Sequence, residues 1–486
     1  MARASSSEKE ELKLTFDRVS VFVLLLVSFL YLVPSLVYPR IHFGQLGKQT
    51  FAAQMIESTA KGELTYGVFP TRHFVEVYHD GLVPWAEEVP LYSFLSAGLV
   101  RAFSISPIFA GKLLSFLSFL FILFGFARIA KILKFSPLAF VLTAGIYPVF
   151  RLYSVQVMPD LCMTAALVWM IAAILEEKVL IAALLLLIAS LFKYYAVFTG
   201  FGVGLYFLYR RNAKGALYFS LAILPCIAYV LWFLELKIPN PIVDSRVADG
   251  HGHFSSLANV LSLANWSRVG LWWFVKNASL PGTGLAALGF WVMLKEKLSI
   301  RPFFACLCVG LLLFPFVFIS SFYVHDYYGL QGSIGIALLA CIGVDWLFSK
   351  NKAISSVCLI VFLGFSIMND NFMLKKEPDF EVVEAAVESL NLPKNEFVLA
   401  VSGISKPVIS YHLGQDAYIV GIDEWAHPNV QARIMDPRIK VAFIHGFKTY
   451  EDMLRPIEAD LTRLGFKKIE LDLTLTNTQF EVWKKN

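Results

Sequence analysis

Residues 106–134 read SPIFAGKLLSFLSFLFILFGFARIAKILK, and this stretch decides the fold class. From Ser106 to Ala127 its single charge is Lys112. A helix rises about 1.5 Å per residue, so roughly 20 apolar residues cross the ~30 Å hydrocarbon layer of a bilayer. Arg128, Lys131 and Lys134 follow at once. A basic cluster directly after an apolar run marks a span that ends on the cytoplasmic side.

The rest of the chain agrees with that stretch. Of 486 residues, 57% are hydrophobic and 16% charged, with 43 Phe and 10 Trp; a soluble chain carries about 25% charge. This excludes a disordered chain, a coiled coil, a disulfide scaffold and an ordinary cytosolic enzyme. The net charge of +5 reads as loop bias in a membrane protein, with no nucleic-acid partner implied. Cys162, Cys226, Cys306, Cys308, Cys341 and Cys358 all lie in apolar stretches and read as small buried hydrophobes.

A first span is expected over residues 20–38, with no cleavage site behind it. Further spans are expected from Ser106, Ser136, Met158, Lys178, Tyr194, Gly215, Leu280, Pro302, Tyr328 and Ala353, about eleven transmembrane helices in all. With the N-terminus cytoplasmic, the inside loops hold Arg128, Lys131 and Lys134; Lys178; Arg210, Arg211 and Lys214; Lys295, Lys297 and Arg301; and Lys350 and Lys352. One topology satisfies all of them, and it places the C-terminus outside.

The expected architecture is therefore an α-helical polytopic membrane domain over residues 1–370, with an external loop at 39–105, followed by an extracytoplasmic α/β domain over 371–486. In the loop, residues 49–60 and 90–103 are expected to be helices lying along the interface. In the tail, residues 397–401, 417–420 and 440–444 have strand character and 450–464 a helical period. Alternating strand and helix imply a small α/β fold.

Ionisable residues at the outer ends of spans are the informative ones, because burying them is costly. They gather on one side: His42, Gln45 and Glu88 in the first loop, Arg151 and Asp160 between the third and fourth spans, Lys193 after the fifth, and His325, Asp326 and Tyr327 after the ninth. Singly, each has a plain structural reading. Glu88 and Asp160 could cap helices, Lys193 could snorkel, and His325-Asp326 could be a solvated turn. Their shared sidedness favours a site.

Four local patterns give this arrangement a familiar outline. Glu88-Val89-Pro90-Leu91-Tyr92 in the first external loop, Lys112-Leu113-Leu114-Ser115 at the start of the second span, Met158-Pro159-Asp160 before the fourth, and His325-Asp326-Tyr327-Tyr328 late in the chain occur in the order seen in the GT-C superfamily. The chain resembles those membrane glycosyltransferases, whose relatives include protein O-mannosyltransferases and lipid A aminoarabinose transferases. The resemblance covers most of residues 1–370. It departs where many members carry an acidic base just after the first span: here the sequence is Arg40-Ile41-His42-Phe43-Gly44-Gln45.

The resemblance implies a bacterial inner-membrane enzyme that moves a sugar from a polyprenyl-phosphate donor to a hydroxyl on a glycolipid, polymer or protein acceptor. Such transfer needs a base for the acceptor proton and cations for the departing phosphate. Glu88 or Asp160 is the candidate base, with His42 an alternative. Lys193 and Arg151 are candidates for the phosphate, and Gln45, His325, Asp326 and Tyr327 for lining the substrate site. A divalent metal ion could share the phosphate charge, but no ligand set stands out. The rival reading is a transporter or flippase of a lipid-linked substrate, although internal repeats typical of transporters are not evident.

Overall fold

The computed structural model describes residues 25–39, 41, 46–62, 69–75, 82–85, 90–235, 257–319, 326–374, 378–391, 398–402, 417–422, 425–426, 428–447, 451–471, 475 and 478–485. The chain divides into two compact units. The first comprises Met1–Pro39, Glu88–Leu95 and Phe109–Leu374; the second comprises Arg40–Glu87, Ser96–Ile108 and Lys375–Asn486.

The first unit is built of apolar helices. Among the described residues, four are long and apolar enough to cross a membrane: Pro107–Leu133, Arg301–Phe318, Tyr327–Lys350 and Lys352–Asn371. Shorter apolar helices accompany them at Leu25–Val37, Asp160–Leu175, Val179–Phe192 and Ala196–Tyr209, with a further helix at Ala213–Glu235. Large side chains such as Phe121, Phe124, Leu180, Leu184, Ile360 and Phe365 are exposed on their outer faces. Apolar faces of that extent suit lipid rather than water. The structure identifies a multi-pass membrane protein; four spans are clear, and the larger number expected from hydropathy rests on the shorter helices.

One expected span is broken. The helix predicted from Ser136 consists of two short pieces, Pro137–Gly145 and Pro148–Tyr153. Pro148 at the second piece's first turn is the cause. It holds Tyr147 in an extended conformation, φ −66° and ψ 121°, because a residue before proline is pushed out of the helical region.

Tight packing between two helices of this unit relies on a pair of glycines. A Cβ on Gly289 would lie 1.8 Å from the Leu339 carbonyl oxygen, and one on Gly343 would lie 2.2 Å from the Leu285 carbonyl oxygen. Helices Ser279–Lys295 and Leu330–Lys350 therefore touch backbone to backbone, the small-residue contact favoured between membrane helices.

The second unit carries a seven-stranded sheet. In chain order we name its strands β1 (Phe69–Val75), β2 (Leu82–Trp85), β3 (Val398–Ser402), β4 (Ala417–Gly421), β5 (Val441–Phe447), β6 (Phe466–Ile469) and β7 (Thr478–Lys485). Their order across the sheet is β2-β1-β4-β3-β5-β7-β6. Strands β3, β4 and β5 are parallel, with Leu399 beside both Tyr418 and Ala442. Leu399, Val401, Val420 and Ile444 pack against Val430, Leu454, Ile457 and Leu461 from the flanking helices. The hairpin β1-β2, from the first loop, joins by parallel pairing with β4. The sequence reading expected only helices along that loop.

Both of those loop helices are present, at Leu46–Lys61 and Leu91–Phe103, but the first is not interfacial in character. Gln49, Thr50, Ala53, Gln54, Ile56 and Thr59 are all buried, so it is enclosed around its circumference, whereas an interfacial helix buries one face. Arg101 holds its end by donating to the carbonyls of Thr59, at 2.8 Å, and Ala60, at 2.9 Å.

Candidate functional site

The site begins where helix Asp160–Leu175 starts. Pro159 stands at its N-cap and Asp160 opens its first turn, where a carboxylate complements the positive end of the helix dipole. The preceding carbonyl, Met158, accepts a hydrogen bond from Ser115 Oγ at 3.2 Å. Ser115 Oγ also lies 3.2 Å from Tyr92 Oη, which donates to the Gly111 carbonyl at 2.9 Å. Lys112 Nζ donates to the carbonyls of Ser35, at 3.1 Å, and Tyr38, at 2.8 Å. These carbonyls lie at the end of helix Leu25–Val37, where the last turn presents backbone acceptors. The motif residues Tyr92, Ser115 and Met158 thus form one hydrogen-bonded neighbourhood beside Asp160, while Lys112 ties the same helix to Leu25–Val37.

Lys193 arrives from the break between helices Val179–Phe192 and Ala196–Tyr209. Its backbone is extended, φ −149° and ψ 119°, and this ends the first helix. Although 2% exposed, its ammonium has specific company: Nζ lies 3.5 Å from Asp160 Oδ2 and 5.2 Å from the centre of the Tyr327 ring. Tyr195 Oη donates to Asp160 Oδ1. The Tyr195 ring stacks on Phe314 at 5.1 Å and meets Tyr328 edge-on at 5.5 Å. Below it, Thr199 Oγ1 donates to Gln331 Oε1 at 3.2 Å.

A buried ion pair is a poor source of stability, since desolvation offsets most of the attraction. At 3.5 Å, the Lys193–Asp160 contact is also longer than a tight charge-assisted hydrogen bond. Ionisable residues held this way in a membrane domain point to function.

The cluster has a definite sidedness. At the far end of helix Asp160–Leu175, 16 residues along and so about 24 Å away, Glu176 receives Arg128 Nε and pairs with Lys178 at 2.7 Å. Lys178 and Arg128 hold the Glu176 carboxyl below its ordinary range. The polar cluster and this basic loop therefore occupy opposite ends of the same helix.

Of the candidate residues, the structure brings together Asp160, Lys193 and Tyr327. Asp326 opens the turn Asp326–Gly329 that carries Tyr327. His42, Gln45, Glu88 and His325 lie outside the described residues. Arg151 is placed elsewhere. It is wholly buried, with Nη2 2.9 Å and Nε 3.1 Å from Asp370 Oδ2, and Nη1 donates to the Ser28 carbonyl and hydroxyl.

Sequence reasoning missed Tyr195, two residues beyond Lys193, and Gln156. The Gln156 side chain is wholly buried in the loop leading to Asp160, with neither amide atom hydrogen-bonded among the described residues. Among the described residues, no three His, Cys, Asp or Glu side chains gather as a metal ion would need.

No protein-family profile matches the chain, and no curated protein matches it in sequence. Solved structures do match in fold. ArnT from Cupriavidus metallidurans bound to undecaprenyl phosphate superposes with a TM-score of 0.64 over 95% of this chain and 97% of that one, at 12% identity. The oligosaccharyltransferase from Archaeoglobus fulgidus in its apo form superposes with a TM-score of 0.56 over 89% of this chain and 70% of that one, at 8% identity. The same enzyme in complex with zinc and sulfate gives 0.52 at 10% identity, over 93% and 72%. These neighbours are GT-C glycosyltransferases. The chain has their fold, from the helical domain through the C-terminal sheet.

Proposed function

We propose that the chain is a membrane glycosyltransferase of GT-C type that transfers a sugar from a polyprenyl-phosphate donor to a hydroxyl acceptor. The observation that carries this reading is the buried Lys193–Asp160–Tyr195 cluster, set at one end of a helical domain whose nearly full-length structural neighbour holds undecaprenyl phosphate. The basic loops at the opposite end favour an extracytoplasmic position for the cluster. The acceptor is a glycolipid, a polymer or a protein.

The reaction forms a bond from the acceptor oxygen to the anomeric carbon and breaks the bond from that carbon to the phosphate oxygen. The hydroxyl proton goes to a base, and the polyprenyl phosphate leaves with the bonding pair. Lys193 is the group suited to the leaving phosphate. Its ammonium is already desolvated and lies 3.5 Å from Asp160 Oδ2 and 5.2 Å from the centre of the Tyr327 ring.

The Asp160 carboxylate accepts from the Tyr195 hydroxyl and lies beside the Lys193 ammonium. We assign it to positioning Lys193 and Tyr195, and leave proton abstraction to Glu88 or His42. Where a divalent metal takes part, it would share the phosphate charge with Lys193.

Purified protein supplied with radiolabelled undecaprenyl-phosphate sugars and a glycolipid acceptor is expected to transfer label, and Lys193→Met is expected to abolish transfer. Movement of the lipid between leaflets without transfer would instead support a flippase. Asp160→Asn separates the two roles of the acid. A positioning role raises the KM for donor, whereas a base would lower kcat with donor binding intact.

A further inference from the structure

A second group of polar residues lies beside the cluster, in a part of the fold the reaction scheme does not use. Residues Leu271–Asn277 form a π-helical segment, a geometry concentrated at functional sites. It packs against the Asp326–Gly329 turn and the helix Pro148–Tyr153. Two residues beyond it, Ser279 has φ +60°, a left-handed backbone that a non-glycine residue adopts only when its surroundings hold it there.

The side chains explain what is being held. Asn277 is 4% exposed and Ser279 5%. Asn277 Nδ2 and Ser279 Oγ have no hydrogen-bond partner among the described residues. Buried polar groups are nearly always paired, and those that are not need a reason. The Asn277 carboxamide rests on Gly329, where a Cβ would lie 2.2 Å from Nδ2. Gly329 is two residues from Tyr327, whose ring faces Lys193. The neighbouring Lys276 is exposed, and the buried Asn277 and Ser279 side chains are themselves neutral.

We propose that Asn277 and Ser279 form a subsite for the hydroxyl groups of the donor's sugar, next to the Lys193 site for its phosphate. The inference rests on the glycosyltransferase reading and adds a specificity site to it. An uncharged amide donor and a hydroxyl that both donates and accepts suit neutral hydroxyls. They offer a phosphate no charge. A site that leaves polar groups unpaired when a substrate hydroxyl is missing discriminates strongly against analogues lacking it. Gln156, unpaired at both amide atoms in the loop before Asp160, offers the same chemistry from a second segment.

The test measures binding of undecaprenyl phosphate alone and of undecaprenyl-phosphate glucose, mannose and aminoarabinose to the full chain in detergent. Asn277→Ala and Ser279→Gly are each expected to weaken binding of the preferred sugar-loaded lipid about three- to tenfold, the worth of one neutral hydrogen bond. Affinity for the bare lipid phosphate stays unchanged. Ser279→Gly also relieves the left-handed strain, so it unfolds at the same or a higher temperature while losing sugar affinity. Wild-type affinity for the sugar-loaded lipid in both variants would overturn the subsite. So would an equal loss for bare and loaded lipid, which would mark a structural role. If the wild-type chain binds none of these lipids, the donor assignment itself fails and the subsite falls with it.

Discussion

Replacing Arg151 with methionine separates a structural cation from a substrate-binding one. Arg151 and Asp370 are both wholly buried, and the carboxylate receives two N–H groups from the guanidinium at 2.9 and 3.1 Å. Arg151→Met keeps most of the side-chain volume but strands the Asp370 charge. Removing one partner of a buried pair costs about 3–5 kcal/mol, against less than about 1 kcal/mol for an exposed pair. At ~1.4 kcal/mol per factor of ten, the folded-to-unfolded ratio shifts by roughly two to three and a half powers of ten. The second change, Asp370→Leu, removes the stranded charge, and a buried pair replaced by apolar residues is commonly neutral or stabilising. The assay is thermal unfolding in detergent alongside sugar transfer. The single variant should unfold far below wild type, and the double variant should recover both stability and activity. A stable Arg151→Met variant, or a double variant that folds but transfers nothing, would refute the structural role and return Arg151 to the phosphate.

Three other expectations follow from particular contacts. Tyr195→Phe removes the hydroxyl that donates to Asp160; a hydrogen bond to a charged group is worth about 1.5–3 kcal/mol, so kcat/KM for donor should fall by one to two powers of ten while the Tyr195–Phe314 stacking persists. Gly289→Ala places a methyl against the Leu339 carbonyl and should lower the unfolding temperature clearly. Gly284→Ala, where a Cβ meets nothing within 4 Å, should leave it unchanged or raise it. The Glu176 carboxyl is held low by Lys178 and Arg128. A carboxyl whose folded pKa is depressed adds stability above its unfolded pKa and loses it as pH falls through the folded value. Glu176→Gln should therefore destabilise modestly at pH 7, by less than about 1 kcal/mol for such a partly exposed network, and not at all near pH 2, as read from unfolding temperatures across pH.

The helices and the polar cluster's two anchors were legible in the sequence because both depend on local rules. Apolar runs bounded by Arg and Lys state their own length, and Pro159 and Lys193 interrupt the pattern where helices begin and end. The break at Tyr147-Pro148 was equally present, but a hydropathy window averages over a single proline inside an apolar run. The Arg151–Asp370 pair joins positions 219 residues apart, and nothing local distinguishes a buried arginine from one awaiting a phosphate. The β1-β2 hairpin was hidden for the same reason: its strands join those of residues 398–421 only through tertiary pairing. Strand β6 was not among the expected strands; its Lys467 and Lys468 interrupt the apolar pattern, and lysines at a sheet edge protect it from pairing with other chains.

The most direct measurement is a structure of the full chain with undecaprenyl phosphate bound. The account predicts the lipid's phosphate within hydrogen-bonding distance of Lys193 Nζ, about 2.7–3.2 Å, with Asp160 and Tyr195 still holding that lysine in place. A phosphate bound away from Lys193, with the Lys193–Asp160 pair closed and undisturbed, would contradict it.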